Sequence, residues 1–514
     1  MNCLVPSQPN RERGSLIFED IAGRPACTKE KQRMQDFRAD ESAQLPHKID
    51  KRRKKKYPAN SLIRLISLIS LCCFALLAGC QHSVRDVREN PQPDPVPPKT
   101  YSIGTAKQSE DRPQQWWLSL NDAELTRYID EALTGSFTLK QGVARLKQAG
   151  FAAAQADADQ YPVADAAVRV NTDAEAGDLT FSERLGVTFS WEADLWGRLA
   201  AATRAASLDA QAEKEALADL SLALSIEVAQ TYYELIEQTL LLDLLQRQIT
   251  ANTTTRDLVK LRFANGAVSS ADVLQQEELL ASVNAQLPPI QARLAVLRNR
   301  LHVLLGRMPD SKALPLAEHL PEFSPLPDLG IPADLLLHRP DLRKLRQEVT
   351  AADYRVAEAV ADRLPALRLG GSAGLNSGDF LLSIFGEALT AVLDWDQKKN
   401  EAERRKAKVE EKTAAWSQAY LEAVEEVENS LRQEQEQSKL LVALEEQLRV
   451  AKSLFEQTRN RYLHGVSDYL PVLSALVSVQ NLERSLIRQQ RVRLDYRLQL
   501  YHALGGSPVQ PHSL

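Results

Sequence analysis

The sequence predicts a mainly α protein with a small β part, built as two repeats around very long helices. Proline is absent between Pro162 and Pro288 and again between Pro365 and Pro471, which leaves two stretches of more than a hundred residues free to be helical. Shifting the chain by 199 residues lays Arg262-Phe263-Ala264-Asn265-Gly266 on Arg461-Tyr462-Leu463-His464-Gly465, Val273-Leu274 on Val472-Leu473, and Trp196 on Trp395, without a gap. Ahead of each long stretch the pattern changes to alternation of apolar and small or polar residues, the period of a strand.

The first 79 residues read as an address and not as a domain. They carry 15 Lys/Arg against 8 Asp/Glu, so the chain from Cys80 onward holds the remaining 48 basic and 60 acidic residues. An acidic chain without a concentrated basic face argues against nucleic acid. The run Lys51-Arg52-Arg53-Lys54-Lys55-Lys56, followed by an apolar segment over 61–79, has the order of a secretory signal peptide, assigned to 51–79. It ends in Leu77-Ala78-Gly79-Cys80, which resembles a bacterial lipobox with Cys80 as the lipid attachment point. The competing reading is a single membrane anchor helix; Arg64 inside the run and the hydrophilic, proline-rich segment after it speak against that. Gln81 directly after the cysteine resembles lipoproteins sent on to the outer membrane, where three acyl chains anchor stably. Residues 1–50 fit no part of a signal peptide and are read as a non-native or mis-assigned extension. All five cysteines lie at or before Cys80, which excludes a disulfide scaffold or a cysteine zinc site downstream.

Residues 80–115 form a lipid-anchored linker, and 116–309 the first repeat. Within it, 118–158 is helical by the spacing of Leu125, Ile129, Leu133, Val143, Leu146 and Ala149, with a break at Gly135, and Tyr161-Pro162 stops it. A strand over 163–171 and a second over 185–195 form a hairpin across the turn-prone 173–178; Leu185, Val187, Phe189, Trp191, Ala193 and Leu195 make the apolar face of the second. Residues 198–263 are 66 positions without proline or glycine, a helix roughly 100 Å long at 1.5 Å per residue. After a linker over 310–337, the second repeat occupies 338–508. It has a shorter hairpin over 366–376 and 388–395, and 509–514 is a tail. Pro162 pairs with Pro365 at a shift of 203, so the repeats differ in hairpin length.

No stretch after Cys80 has about 20 uncharged apolar residues, so no helix there spans a membrane, and any crossing falls to the strands. Four strands cannot close, bacterial barrels begin at about eight, and three copies supply twelve. The long helices interleave Ala, Leu, Val and Ile with charge, as over 218–245, and an isolated helix of that kind leaves an apolar stripe in water.

From Trp116 to Pro508 the chain resembles the TolC-like outer membrane factors, in the NodT-type branch of efflux lipoproteins. The resemblance rests on Trp191-Glu192-Ala193-Asp194-Leu195-Trp196-Gly197-Arg198 after the first hairpin, His338-Arg339-Pro340-Asp341-Leu342-Arg343 opening the second repeat, and two Arg-aromatic-x-x-Gly turns. It implies a homotrimer with a 12-stranded transmembrane barrel, four strands per chain, and an α-helical periplasmic tunnel. It further implies a passive duct without catalytic residues, cofactor or metal, fed by an inner-membrane pump of the resistance-nodulation-division type through a periplasmic adaptor.

Gly266 and Gly465 close the helical hairpins at their periplasmic ends, where glycine supplies a positive φ. The resemblance implies that these tips also dock the adaptor, through Arg262, Asn265, Gly266, Arg461, His464 and Gly465. Beyond Gly465 the family often carries an acid lining the closed entrance; here Ser474 stands in its place. Leu470 would supply an apolar constriction and Asp468 a substitute acidic ring, a solvated turn residue being the equal alternative for Asp468. Pro471 favours a helix start near the tip, and Arg339-Pro340-Asp341 the opening of another helix. Trp191, Trp196 and Trp395 stand at strand ends, suited to the membrane interface or to burial under the helices. The eight histidines form no HExxH or other close ligand pair, and there is no GxSxG or P-loop. The glycines of Arg368-Leu369-Gly370-Gly371-Ser372-Ala373-Gly374 belong to an alternating strand. Two alternatives share features with this reading: a duct for type I protein secretion, which has the same fold, and a periplasmic adaptor, which would show one helical hairpin in a β-rich chain.

Overall fold

The computed structural model describes residues 100–102, 115–175, 178–310, 312, 314–321, 332–376, 379–389 and 396–506. The chain divides into two units, Met1–Leu77 and Ala78–Leu514, and the description concerns the second. The expectations for 1–50, for the signal peptide, for Cys80 and most of its linker, for Trp395 and for 509–514 lie outside the described residues.

The first repeat opens with a single 3-10 turn, Trp116–Leu120, and the helices α1 (Ala123–Gly135) and α2 (Phe137–Ala158). Asp122 accepts a hydrogen bond from the Leu125 amide at 3.0 Å and so caps α1. Ser136, just after the expected break at Gly135, caps α2 through the Thr138 amide at 3.2 Å. Strands β1 (Val163–Glu175) and β2 (Asp178–Ala193) follow, then α3 (Arg198–Ala264), α4 (Ser270–Asn284) and α5 (Leu287–Leu304). The single returning helix expected here is therefore two, with Pro288 and Pro289 in the first turn of α5. The second repeat comprises α6 (Pro340–Ala361), β3 (Ala366–Asn376), β4 (Asp379–Leu389), α7 (Gln397–Leu463) and an unbroken α8 (Leu470–Ala503).

The repeat is kept to the residue. Helices α3 and α7 are both 67 residues long and begin and end 199 positions apart, while α2 and α6 are both 22 residues long and lie 203 apart. The ends of the repeats match as well. A Cβ at Gly306 would lie 2.4 Å from the Gly135 carbonyl oxygen, and one at Gly505 would lie 2.9 Å from Arg339 Cα. Each returning helix thus abuts the short helix of its own repeat at a glycine with φ near +73° or +85°. Near the strands the helices lie in the order α2, α3, α6, α7; towards the other end α8 takes the place of α6, and α4 and α5 that of α2.

The four strands form one antiparallel sheet in the order β1-β2-β3-β4. Both hairpins extend closer to their turns than the alternation indicates. The register carries Glu175 to Asp178 and Asn376 to Asp379, so Ala176-Gly177 and Ser377-Gly378 are the only residues between the strands. The last strand runs over Asp379–Leu389 and not over 388–395. Its Phe380-Leu381-Leu382-Ser383-Ile384-Phe385 is apolar on both faces apart from Ser383, which hides the period of two.

Cross-strand pairs put Leu185 between Val168 and Leu375, and Trp191 opposite Leu369, so their side chains share one face. On this face Leu185, Val187, Phe189 and Trp191 are 51%, 48%, 43% and 37% exposed, so none of the described residues covers the apolar face of the sheet. No helix among the described residues is long and apolar enough to cross a membrane.

Two buried clusters hold the helices at mid-length. Trp116, Trp117, Tyr128, Ile129, Tyr232, Tyr233, Leu301 and Leu498 belong to one, and Leu335, Leu342, Trp416, Tyr420, Val427 and Leu500 to the other. Trp116 stacks on Tyr501 of the second repeat with ring centroids 5.4 Å apart and donates its indole N–H to Ser225 at 3.1 Å. Arg339 ties three helices together: it donates to both carboxylate oxygens of Asp341 at 3.0 and 2.7 Å, to Glu426 at 2.6 Å and to the Ala503 carbonyl at 3.3 Å. Pro340 and Asp341 open α6 as expected, and Arg339 adds a junction that the helix-start reading omits.

Candidate functional site: helical tips and strand-helix junction

The two long helices end alike. After α3, the amides of Gly266 and Ala267 donate to the carbonyls of Phe263 and Arg262 at 2.8 and 2.9 Å. After α7, those of Gly465 and Val466 donate to Tyr462 and Arg461 at 3.0 and 2.9 Å. This pair of bonds satisfies the last helical carbonyls and needs a left-handed residue, supplied by Gly266 at φ +71° and Gly465 at φ +73°. The residue before each glycine bonds back one turn: Asn265 Nδ2 donates to the Leu261 carbonyl at 2.7 Å, and His464 Nδ1 lies 2.8 Å from the Asn460 carbonyl.

The structure brings both tips together. Val259 of α3, Tyr462 of α7, and Tyr469 and Val472 at the start of α8 form a buried cluster with Val268 and Val273 against it. Arg262 lies over the Tyr462 ring, 4.4 Å from its centroid, a cation-π contact that joins the two repeats. Asn265, Gly266, Arg461, His464 and Gly465 are exposed around this cluster, and Arg262 is half-buried. A Cβ at Gly266 or Gly465 would meet nothing within 4 Å, so the tip surface is open at both turns.

The turns are followed by helix starts of different design. Ser269 and Asp272 make a capping box on α4, with Ser269 N–H donating to Asp272 at 2.9 Å and Asp272 N–H to Ser269 at 3.3 Å. Asp468 occupies the position equivalent to Ser269, but α8 begins at Leu470 with Pro471 in its first turn and no side-chain cap. Asp468, Leu470 and Ser474 are all exposed, whereas Tyr469, Val472 and Ala475 are buried. Leu470 and Ser474, one turn apart, therefore share the face of α8 that the chain leaves open.

Behind Tyr469 runs a buried polar seam that hydrophobic periodicity does not reveal. Tyr469 donates to Gln276, Gln276 Nε2 to the Asn252 carbonyl at 3.0 Å, and Asn252 Nδ2 to Gln480 at 3.4 Å. Further along, Gln248 donates to the Gln480 carbonyl at 3.3 Å and accepts from Arg484. Burial pushes the Tyr469 hydroxyl well above its usual range and pulls Arg484 below its own. The one available signal is that glutamine and asparagine occur where the helical period calls for apolar residues. Higher on the same helices Arg491 lies between Glu237 at 2.8 Å and Asp495 at 2.7 Å. Burial outweighs Arg491 there and pushes the Asp495 carboxyl up to about 6, with Glu234 adding to the rise.

At the other end the tryptophans are pinned to the backbone. Trp191 donates to the Gln160 carbonyl at 2.9 Å, and Trp196 to the Pro365 carbonyl of the other repeat at 2.8 Å. Between them Glu192 accepts from Arg198 at 3.0 and 2.7 Å and faces Arg368 at 3.5 Å, and Asp194 accepts from the Ala200 amide at 2.8 Å, capping α3. The sequence points to these tryptophans at strand ends, but not to their role as clasps between strand and helix.

Among the described residues no cluster of His, Cys, Asp or Glu could hold a metal ion. The arrangement offers an uncovered apolar sheet, a wall of long helices and an exposed double tip. Known proteins resemble the chain over most of its length. The chain is 28% identical over 469 residues to the pyoverdine export outer membrane protein OpmQ of Pseudomonas aeruginosa, covering 86% of this chain and 96% of that one. It is 26% identical over 453 residues to nodulation protein T of Rhizobium leguminosarum bv. trifolii, covering 84% and 96%. Among solved structures, the outer membrane protein VceC of Vibrio cholerae superposes with a TM-score of 0.70 at 26% identity, over 76% of this chain and 98% of that one. The outer membrane efflux protein family matches residues 128–307 and 331–506, one segment per repeat, and with most of its length so matched the chain belongs to that family.

Proposed function

We propose that this outer membrane efflux protein is one third of a homotrimeric exit duct, which passively conducts small molecules received from an inner-membrane pump through a periplasmic adaptor. The observation that carries the proposal is the four-stranded sheet: among the described residues its apolar face is uncovered and its edges β1 and β4 pair with no further strand, and its strands continue into two 67-residue helices. An open edge and an apolar face are both costly in lipid, where every backbone group needs a partner. Three copies close them as a barrel of twelve strands, and the helices continue that ring as a tunnel.

In this reading Cys80 carries the lipid anchor, residues 80–115 tether it, and Trp191, Trp196 and Trp395 mark the membrane interface. The tips hold the adaptor through Arg262, Asn265, Gly266, Arg461, His464 and Gly465. Leu470 and Asp468, with Ser474 beside them, line the closed entrance. A pump of the resistance-nodulation-division type supplies the energy. The export of pyoverdine named for one relative supports small molecules over type I protein secretion.

Single-channel recording in planar bilayers tests the entrance. Leu470→Ala is expected to raise conductance several-fold by removing three apolar side chains from the narrowest ring, and Asp468→Ala to lower the preference for cations. Unchanged conductance in the first variant would remove Leu470 from the gate.

A further inference from the structure

The internal repeat contains a template for the contact between copies. Inside the chain, α6 packs against α3, and Tyr354 of α6 is only 5% exposed, seated among Ala201, Ala205 and Leu208 of α3 with Ala351 beside it. The counterpart of Tyr354, 203 positions earlier, is Phe151 on α2, which is 75% exposed. The counterparts of Ala201, Ala205 and Leu208, 199 positions later, are Asn400, Arg404 and Ala407 on α7, and they too are exposed. The same aromatic position is thus buried in one repeat and bare in the other, and so is the surface that would receive it.

The free helices are also the ones that sheet closure brings together. Helix α2 leads into β1 and β4 leads into α7, so pairing β1 with β4 of the next copy sets α2 beside the neighbour's α7. Resting on the trimer reading, we propose that α2 of each copy packs against α7 of the next in the register of the internal α6–α3 contact, with Phe151 seated over Ala407 between Asn400 and Arg404. Arg404 then faces the phenyl ring as a cation-π partner. The internal contact is reinforced by Arg343–Glu215 and Arg355–Asp209 ion pairs. Their counterparts, Lys140 with Ala414 and Ala152 with Lys408, pair no opposite charges. Phe151 is therefore the main anchor of this seam, where Tyr354 shares the load with two ion pairs.

The test is a Phe151→Cys, Ala407→Cys double variant of the full chain, treated in outer membranes with mild oxidant or a short bis-maleimide. A ladder of covalent dimer and trimer is expected, with none from either single variant, which carry the same native cysteines. A particle that is trimeric by mass but gives no ladder overturns the register and leaves the duct reading standing. A particle that is not trimeric overturns the duct reading itself. In parallel, Phe151→Glu is expected to cut trimer yield at least tenfold while Phe151→Tyr retains it; full yield with Glu overturns the anchor.

Discussion

Gly465→Trp is expected to abolish efflux while the amount of assembled protein in the outer membrane stays near the wild-type level. The glycine stands at φ +73°, where a side chain costs roughly 1–2 kcal/mol, too little to unfold a helix of 67 residues packed along its length. A Cβ there meets nothing within 4 Å, so a side chain starts into open space at the tip, the surface proposed to receive the adaptor. Cells carrying the variant should accumulate an efflux dye as fully as cells without the gene. Normal dye export at normal assembly would remove the tip from docking.

Glu434→Ala is expected to fail earlier, at folding and assembly. Arg497 of α8 donates to Glu434 of α7 through Nε at 2.8 Å and Nη2 at 2.5 Å, and both side chains are almost wholly buried, at 3% and 5% exposure. Truncating the acid leaves a guanidinium in a low-dielectric interior without its counter-charge, a loss of about 3–5 kcal/mol. Thermal unfolding of the detergent-extracted protein measures this. Replacing both residues together, Glu434→Leu with Arg497→Met, is expected to recover most of the stability because no buried charge remains. If the double variant is as unstable as Glu434→Ala, the unpaired charge is not the cause.

The helical part of this fold was legible because its signals are local and repeated. A 66-residue gap in proline and glycine was enough to place α3 within one residue, and the 199-residue shift transferred that result to α7. The turn glycines were legible for the same reason, since a helix that stops and reverses needs a left-handed residue. Strand β4 was not, because Phe380-Leu381-Leu382 shows no alternation and only two residues separate it from β3. The Arg497–Glu434 pair and the Gln276–Asn252–Gln480 seam were illegible for a different reason. A charged or amide side chain in a helix looks solvated until the helix that covers it is known, and here the cover comes from 24 to 228 residues away. Phe151 lay between the two cases: it is an ordinary exposed aromatic until its repeat partner Tyr354 is found buried.

Whether one chain is a third of a tube is decided by the mass of the intact particle. Native mass spectrometry of the protein extracted from outer membranes in mild detergent is expected to give three copies, each beginning at an acylated Cys80, that separate to single chains on heating. A single, unacylated chain recovered from the soluble periplasm would overturn the trimeric duct.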